Sequence, residues 1–437
     1  MPRSYRDTPS RALVMALHAL AIFALGFALS VGAAVIALAR ISPVAAGAAD
    51  PAGGGVADWT VLVYMASDNN LEPAALNNLR QIAAVGSSPR LRIVAQVDRI
   101  ASPESWDDST AGNWTDTKRF LITQGMEPDA TMAVQCLGEL NTGDPATLSD
   151  FIVWGMANYP ARHYALILWS HGGAWQGLAS DDSSGGDSLT LPELGTALAA
   201  ARARTGYGQI DLIGFDACLM AQLDVFQVIA PYARVVVASA EIEPSQGWAW
   251  EAWLGALAAN PGQDAASVAG VIVDSYISAY QGTDDVTLAA FDLAEVDHIS
   301  LGLARLASAL RAGGPAGDAR IAYARATVDI YAPSLPDAFS AVDLGRLTQL
   351  LAAHGATHDV AAAAEVTANA IRHACIAYGS GQSHRDGSGI SIYFPLTAAQ
   401  YAHDYEHDSP LTRWADFLKA YHHSALPQVA RANSSGW

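Results

Sequence analysis

Lysine is almost absent: of 437 residues only Lys118 and Lys419 are lysines, so nearly all positive charge is arginine. Acids outnumber Lys and Arg by 43 to 24, a formal charge of −19. A phosphate footprint needs clustered Lys and Arg, so nucleic acid is excluded as a partner. Cysteine is scarce as well. Cys136, Cys218 and Cys375 are too few for a disulfide-rich scaffold, and no CxxC pair exists for a zinc ribbon. Charged residues make up 15% of the chain against 51% hydrophobic, which excludes wholesale disorder and supplies a large core.

One long apolar run stands at the N-terminus. Arg3, Arg6 and Arg11 precede Ala12 to Ala39, interrupted only by His18, Gly and Ser. Such a run exceeds the ~20 residues that span a bilayer. Small residues at 44–49 offer Ala-x-Ala-like cleavage sites, so residues 1–49 read as a signal peptide or a retained signal anchor. With the basic flank N-terminal, the remainder faces outside in either case, extracellular or at the cell surface, with membrane anchoring through 12–39 if uncut. Without residues 1–49 the formal charge is −22. The Pro51-Ala-Gly-Gly-Gly55 stretch makes residues 50–56 a linker.

From Trp59 onward, apolar β-type runs alternate with Ala-rich stretches of helical spacing. The expected strands are Thr60–Tyr64, Leu91–Val97, Tyr164–Trp169, Ile210–Phe215, Val235–Ala238, Val286–Phe291 and Gly389–Phe394. The expected helices are Leu71–Ala84, Thr147–Asn158, Leu191–Ala203, Met220–Ala230 and Gln263–Tyr280. Nearly continuous apolar strands belong to a sheet covered on both faces. The alternation therefore predicts an α/β fold with a mainly parallel sheet between helical layers. Residues 57–291 form the core of this reading, 292–425 a helix-rich C-terminal subdomain, and 426–437 a flexible tail.

Two strands run into reactive residues. Tyr164-Ala-Leu-Ile-Leu-Trp169 leads to Ser170-His171-Gly172-Gly173, and Ile210-Asp-Leu-Ile-Gly-Phe215 leads to Asp216-Ala217-Cys218. One helix separates them, so a right-handed crossover brings both C-terminal ends to one sheet edge, where open α/β sheets place their ligand crevice. A thiol and an imidazole facing each other across that crevice suffice for acyl transfer: thiolate attack on a carbonyl, and proton delivery to the departing amine. A helix starting just after Cys218 lowers the thiol pKa, and backbone N–H groups there hold an oxyanion. An α/β-hydrolase fails on order and elbow: no G-x-S-x-G is present, Met220 is not small, and the histidine precedes the nucleophile.

These motifs, taken together, resemble the clostripain family of cysteine peptidases in the caspase, legumain and gingipain group. The resemblance runs through Trp59-Thr-Val-Leu-Val-Tyr-Met-Ala-Ser-Asp-Asn-Asn-Leu-Glu72, Leu140-Asn-Thr-Gly-Asp144, Trp169-Ser-His-Gly-Gly173, Asp216-Ala-Cys-Leu-Met220, the stretch from Glu243-Pro244 to Gly247-Trp248, and Gly387-Ser-Gly-Ile-Ser-Ile-Tyr-Phe-Pro395. It implies a caspase-like fold, with Cys218 as nucleophile, His171 as general acid and base, and Gly172 and Cys218 amides as the oxyanion hole. It implies peptide or protein substrates cut after Arg or Lys, with Asp216 as an S1 carboxylate that also suits a helix cap. The rival reading is a catalytically silent surface-binding module on the same fold.

The chain departs from the family pattern at three places. Gln246 stands where relatives carry a second acid, leaving Glu241 or Glu243 to compensate or to be solvated. Ser170 replaces an aspartate. No Lys or Arg occurs between Arg162 and Arg202, so the loop after His171 offers no basic autocleavage site. The chemistry requires no cofactor. Asp181, Asp182 and Asp187 could instead bind Ca2+, although their loop lacks EF-hand spacing and suits a solvated loop. His354/His358 and His403/His407 have chelating spacing without an HExxH pattern and read as surface histidines. Cys136 and Cys375 are open to a disulfide or to burial as small apolar residues. Trp248, Trp250 and Trp253 read as core, with a pocket wall as the other option.

Overall fold

A computed structural model describes residues 55–101, 108–335, 339–354 and 357–423. The apolar run at 12–39, most of the linker and the tail at 426–437 lie outside the described residues. Among the described residues no helix is long and apolar enough to cross a membrane.

The centre is a nine-stranded sheet, built from β1 (Ala57–Ser67), β2 (Leu91–Arg99), β3 (Thr117–Leu121), β4 (Gln135–Gly138), β5 (Ala161–Trp169), β6 (Ile210–Asp216), β7 (Ala233–Ala238), β8 (Thr287–Asp292) and β9 (Cys375–Ser380). Their order across the sheet is β9-β8-β7-β6-β5-β1-β2-β3-β4. The five middle strands, β2, β1, β5, β6 and β7, pair in parallel. Two antiparallel strands close each edge.

Helices cover both faces, as the apolar strands require. Along β1, Leu62, Tyr64 and Ala66 enter one core while Val61, Val63 and Met65 enter the other, the period-two alternation of a strand buried on both sides. One face carries α1 (Glu72–Val85), with α2 (Pro145–Asn158), α3 (Leu191–Thr205) and α4 (Leu223–Ile229) on the opposite face; α5 (Trp250–Ala259) and α6 (Ala265–Ala279) join α1. Local signals set the helix ends. Asp144 caps α2 by accepting from the Ala146 amide, and Thr190 with Glu193 forms a capping box at α3, which stops at left-handed Gly206. After β8 the chain adds α7 (Val296–Ala312), α8 (Gly314–Thr327), α9 (Leu344–His354) and α10 (His358–Ala374), then returns to the sheet as β9.

Of the antiparallel strands at the two edges, β8 was expected and β3, β4 and β9 were not. β3 reads TKRFL, a charged segment that looks like loop, yet its charges are partnered. Lys118 reaches Asp116 at 2.5 Å, and buried Arg119 reaches Gln96 and Asp150. The expected strand at 389–394 shortens to Ser391–Tyr393 and pairs with Ala341–Asp343 outside the main sheet. The disulfide option fails. Cys136 lies in β4 and Cys375 in β9, at opposite ends of a nine-stranded sheet, and both are free thiols. Strands spaced ~4.8 Å apart put them far beyond bonding reach. Cys136 is exposed and Cys375 half-buried, so neither is a core residue.

Candidate active site

The parallel register of β5 and β6 sets Trp169 opposite Asp216. His171 and Cys218 each follow two residues later, so they leave the sheet at the same level. Both line a cavity of about 430 Å³, together with Gly172, Asp216 and Glu243. Gly172 is pressed against the Cys218 backbone: a Cβ there would come within 2.2 Å of the Cys218 carbonyl oxygen. Its flanking residues make the local hairpin bonds, Gly173 N–H to Gly177 and Ala179 N–H to the His171 carbonyl. Neither Gly172 N–H nor Cys218 N–H donates to a backbone acceptor among the described residues.

The thiol itself differs from expectation. α4 begins at Leu223, and a turn with Leu219 at φ 67° separates it from Cys218. No helix start therefore lowers the thiol pKa. Burial pushes it up, opposed by the Glu243 N–H that donates to Sγ at 3.3 Å, with the Asp216 charge adding to the rise. Burial also lowers the His171 pKa, with Asp182 acting the other way. The resting pair is thiol and neutral imidazole.

His171 has a partner that the sequence reading overlooked. Its Nε2 lies 2.7 Å from Asn70 Oδ1. An amide oxygen only accepts, so Nε2 carries the proton and Nδ1 keeps its lone pair. Asn70 follows β1, which neighbours β5 in parallel register, so the topology delivers it to the same edge. The signal was present in the Ser67-Asp-Asn-Asn70 run at a strand end.

Asp216 forms the cavity floor. Its Oδ2 accepts from Trp248 N–H at 3.2 Å and from Trp250 Nε1 at 2.9 Å. Gly247, at φ 67°, lets the chain pass there, since a Cβ would stand 2.9 Å from both carboxylate oxygens. Glu243 is buried beside Asp216 and feels its charge, and Trp248 Nε1 reaches Glu243 Oε1 at 3.4 Å. Its Oε2 faces no donor. Burial drives the Glu243 pKa well up, aided by the Asp216 charge, while burial raises Asp216 to about 6. Two buried acids this close repel each other when both are charged, and Asp216 is the one whose charged form two N–H donors favour.

The other candidates lie apart. Glu241 accepts from the Ala332 and Ile242 amides and pairs with His384 at 3.2 Å, a buried strut. Gln246 is exposed and contributes its backbone carbonyl to Asn78. The three tryptophans are buried behind the floor, Trp248 and Trp250 holding Asp216 in place.

The sequence profile of the clostripain family matches residues 63–421. The chain belongs to the clostripain family. Clostripain of Hathewaya histolytica is 27% identical over 219 residues, a stretch covering 44% of this chain and 40% of that protein. The chain thus spans about two fifths of that relative's length. Among solved structures, a secreted C11 cysteine protease of Bacteroides thetaiotaomicron superposes with a TM-score of 0.62 at 19% identity, covering 82% of this chain and 99% of the other. An inactive zymogen C11 protease of Parabacteroides distasonis gives 0.62 at 20% identity, covering 83% and 99%. Both show the shared fold.

Within this clostripain-family frame, Ser170 in place of aspartate is buried and donates to the Ala66 carbonyl, tying β5 to β1. The acidic loop is a hairpin between Leu178–Asp181 and Asp187–Leu189. Asp181 is buried, with both oxygens taken by Ser184 and Thr142 amides, and Asp187 accepts from Asn141. The carboxylates that do converge are Asp68, Asp98 and Glu139. His354, His358, His403 and His407 are all exposed.

Proposed function

We infer that the chain is an exported cysteine endopeptidase that cuts after Arg or Lys, with Cys218 and His171 as its working pair. The observation that carries the specificity is the Asp216–Glu243 pair beneath the thiol. A buried carboxylate held by two tryptophan N–H groups awaits a cation, and a guanidinium or ammonium at the cavity floor supplies it. Glu243 is the second acid that position 246 lacks. The strongly acidic chain adds long-range attraction for basic peptides at low salt.

The chemistry follows from the neutral resting pair. His171 Nδ1 takes the Cys218 proton as Sγ attacks the scissile carbonyl carbon. The resulting oxyanion meets the free Gly172 and Cys218 N–H groups. As the C–N bond breaks, the imidazolium returns that proton to the leaving amine. Water then attacks the thioester, its proton passing to Nδ1 and back to sulfur, which releases the acid product.

The test is a series of fluorogenic peptides with Arg, Lys, Asn or Asp at P1, assayed with wild type, Cys218→Ala and His171→Ala. Cleavage confined to Arg and Lys peptides and lost in both variants is expected. Undiminished hydrolysis by Cys218→Ala overturns the mechanism. Equal rates on Asp and Arg peptides overturn the specificity.

A further inference from the structure

We propose that the cavity beside the catalytic one is a subsite for a second basic side chain, carried two or three residues before the scissile residue, at P3 or P4. The chain would then favour substrates in which Arg and Lys are clustered. The inference deepens the peptidase reading and rests on it. The cavity has a volume of about 700 Å³, and its lining comes from the ends of β7 and β8 and from the segment after α8. Ile242, Glu243 and Pro244 line both cavities, so this strip is the wall between them.

Topology fixes which half of a substrate reaches it. His171 leaves β5 and Cys218 leaves β6, and the imidazole delivers its proton to the departing amine. The leaving half therefore lies on the β5 side of the thiol and the acyl half on the other side. There β7 and then β8 follow β6. Glu241 comes just after β7, which is parallel to β6, and Asp285 comes just before antiparallel β8, so both stand at the sheet edge that carries Cys218. One to two strand spacings of ~4.8 Å separate them from the thiol, and an extended peptide advances ~3.3 Å per residue. The second cavity thus meets the residue two or three before P1.

The charge of this cavity has one sign. Asp285 and Asp329 line it, and no Lys or Arg does. Among the described residues neither carboxylate forms an ion pair. Two further lining groups are buried and incomplete. His384, 7% exposed, places Nε2 at 3.2 Å from Glu241 and has no partner at Nδ1. Glu243, 8% exposed, has no donor at Oε2. Tyr331 packs on the His384 ring with centroids 4.9 Å apart, which fixes its orientation. With Nε2–H given to the Glu241 carboxylate, the neutral ring keeps a lone pair at Nδ1. The unmet groups of this lining are therefore acceptors. Guanidinium and ammonium groups only donate, so they match it in charge and in hydrogen bonding.

The experiment uses the full chain and internally quenched peptides with Arg fixed at P1 and Arg, Lys, Ala or Glu at P3 or P4. A second set, equal in net charge, carries the extra Arg at P2′ or P3′. Arg or Lys at P3 or P4 is expected to raise kcat/KM about fivefold or more over Ala, with Glu slower than Ala. The double variant Asp285→Asn/Asp329→Asn should bring the Arg-to-Ala ratio below about twofold, and Asp187→Asn, a charge removed elsewhere, should keep it. Equal rates on Arg, Ala and Glu peptides overturn the subsite and leave the peptidase reading standing. An equal gain from Arg on the leaving side, or an undiminished ratio in the double variant, assigns the preference to the overall charge of the protein and overturns the subsite as well. If wild type cleaves none of these peptides, the peptidase reading fails and binding decides the subsite. Fluorescence anisotropy on Cys218→Ala should then show the peptide with Arg at P3 or P4 binding about fivefold or more tighter than its Ala counterpart, and equal affinity overturns the subsite.

Discussion

Asp216 and Glu243 bring two buried carboxyl groups into contact beneath Cys218, with two tryptophan N–H groups on Asp216 and no donor on Glu243 Oε2. The Asp216 charge adds to the burial that drives the Glu243 pKa well up, while Asp216 itself accepts both tryptophan N–H groups. The two residues therefore have different weights. Asp216→Asn removes the charge that the proposed specificity sets against a P1 cation and should lower kcat/KM for Arg peptides on the order of 100-fold or more. Glu243→Gln keeps the donor and the shape and should stay within about threefold at pH 7.5. Steady-state kinetics on one Arg peptide separates them.

The same pair gives a pH dependence with a definite sign. Asp216 titrates near 6 in the fold against 3.8 when unperturbed, so it loses its charge as pH falls through about 6. KM for Arg and Lys peptides should rise there. Because the folded pKa is raised, the stability contributed by Asp216 is fully present below 3.8 and is lost as pH rises through about 6. Asp216→Asn should therefore raise Tm at pH 7.5, with the gain shrinking below pH 6. Thermal melts across that range read it directly.

Asn70 sets the tautomer of His171 without touching substrate. Asn70→Ala should lower kcat about 10-fold with KM unchanged, the loss of one hydrogen bond worth ~1–1.5 kcal/mol. Asn70→Asp should restore turnover and move the acid limb of the kcat profile upward, because a carboxylate beside the ring favours imidazolium. A structural role alone would leave that limb in place.

Much of this site was legible in the sequence, because His171 and Cys218 sit at matching strand ends and strand periodicity is easily read. Asp216 was legible for the same reason. Glu243 was legible only as one of two alternatives with Glu241: its burial comes from a loop held by left-handed Gly247 and by tryptophans that look like plain core. Gln246 drew attention by position in the chain, yet its side chain faces solvent. The thiol pKa was misjudged because four non-helical residues, Leu219 to Gln222, intervene before α4. The edge strands hid behind polar side chains whose partners are distant in sequence, as Arg119 and Asp150 show.

The thiol's raised pKa makes a chemical prediction. Alkylation of Cys218 by iodoacetamide in the resting chain should be slow at pH 7 and climb about 10-fold per pH unit through pH 9, tracking the thiolate fraction. A rate already level from pH 6 would show a preformed thiolate–imidazolium pair instead.

The loop between His171 and α3 carries no Lys or Arg, so self-cleavage after a basic residue cannot occur there. Intact mass analysis of purified active chain should find residues 176–191 uncut.

The most direct measurement is covalent capture by peptidyl acyloxymethyl ketones with Arg or Asp at P1, followed by mapping of the modified peptide. The Arg reagent should label Cys218 alone, and free Arg-containing peptide should slow the labelling. Labelling of Cys136 or Cys375 with Cys218 untouched, or equal labelling by the Asp reagent, would contradict the account.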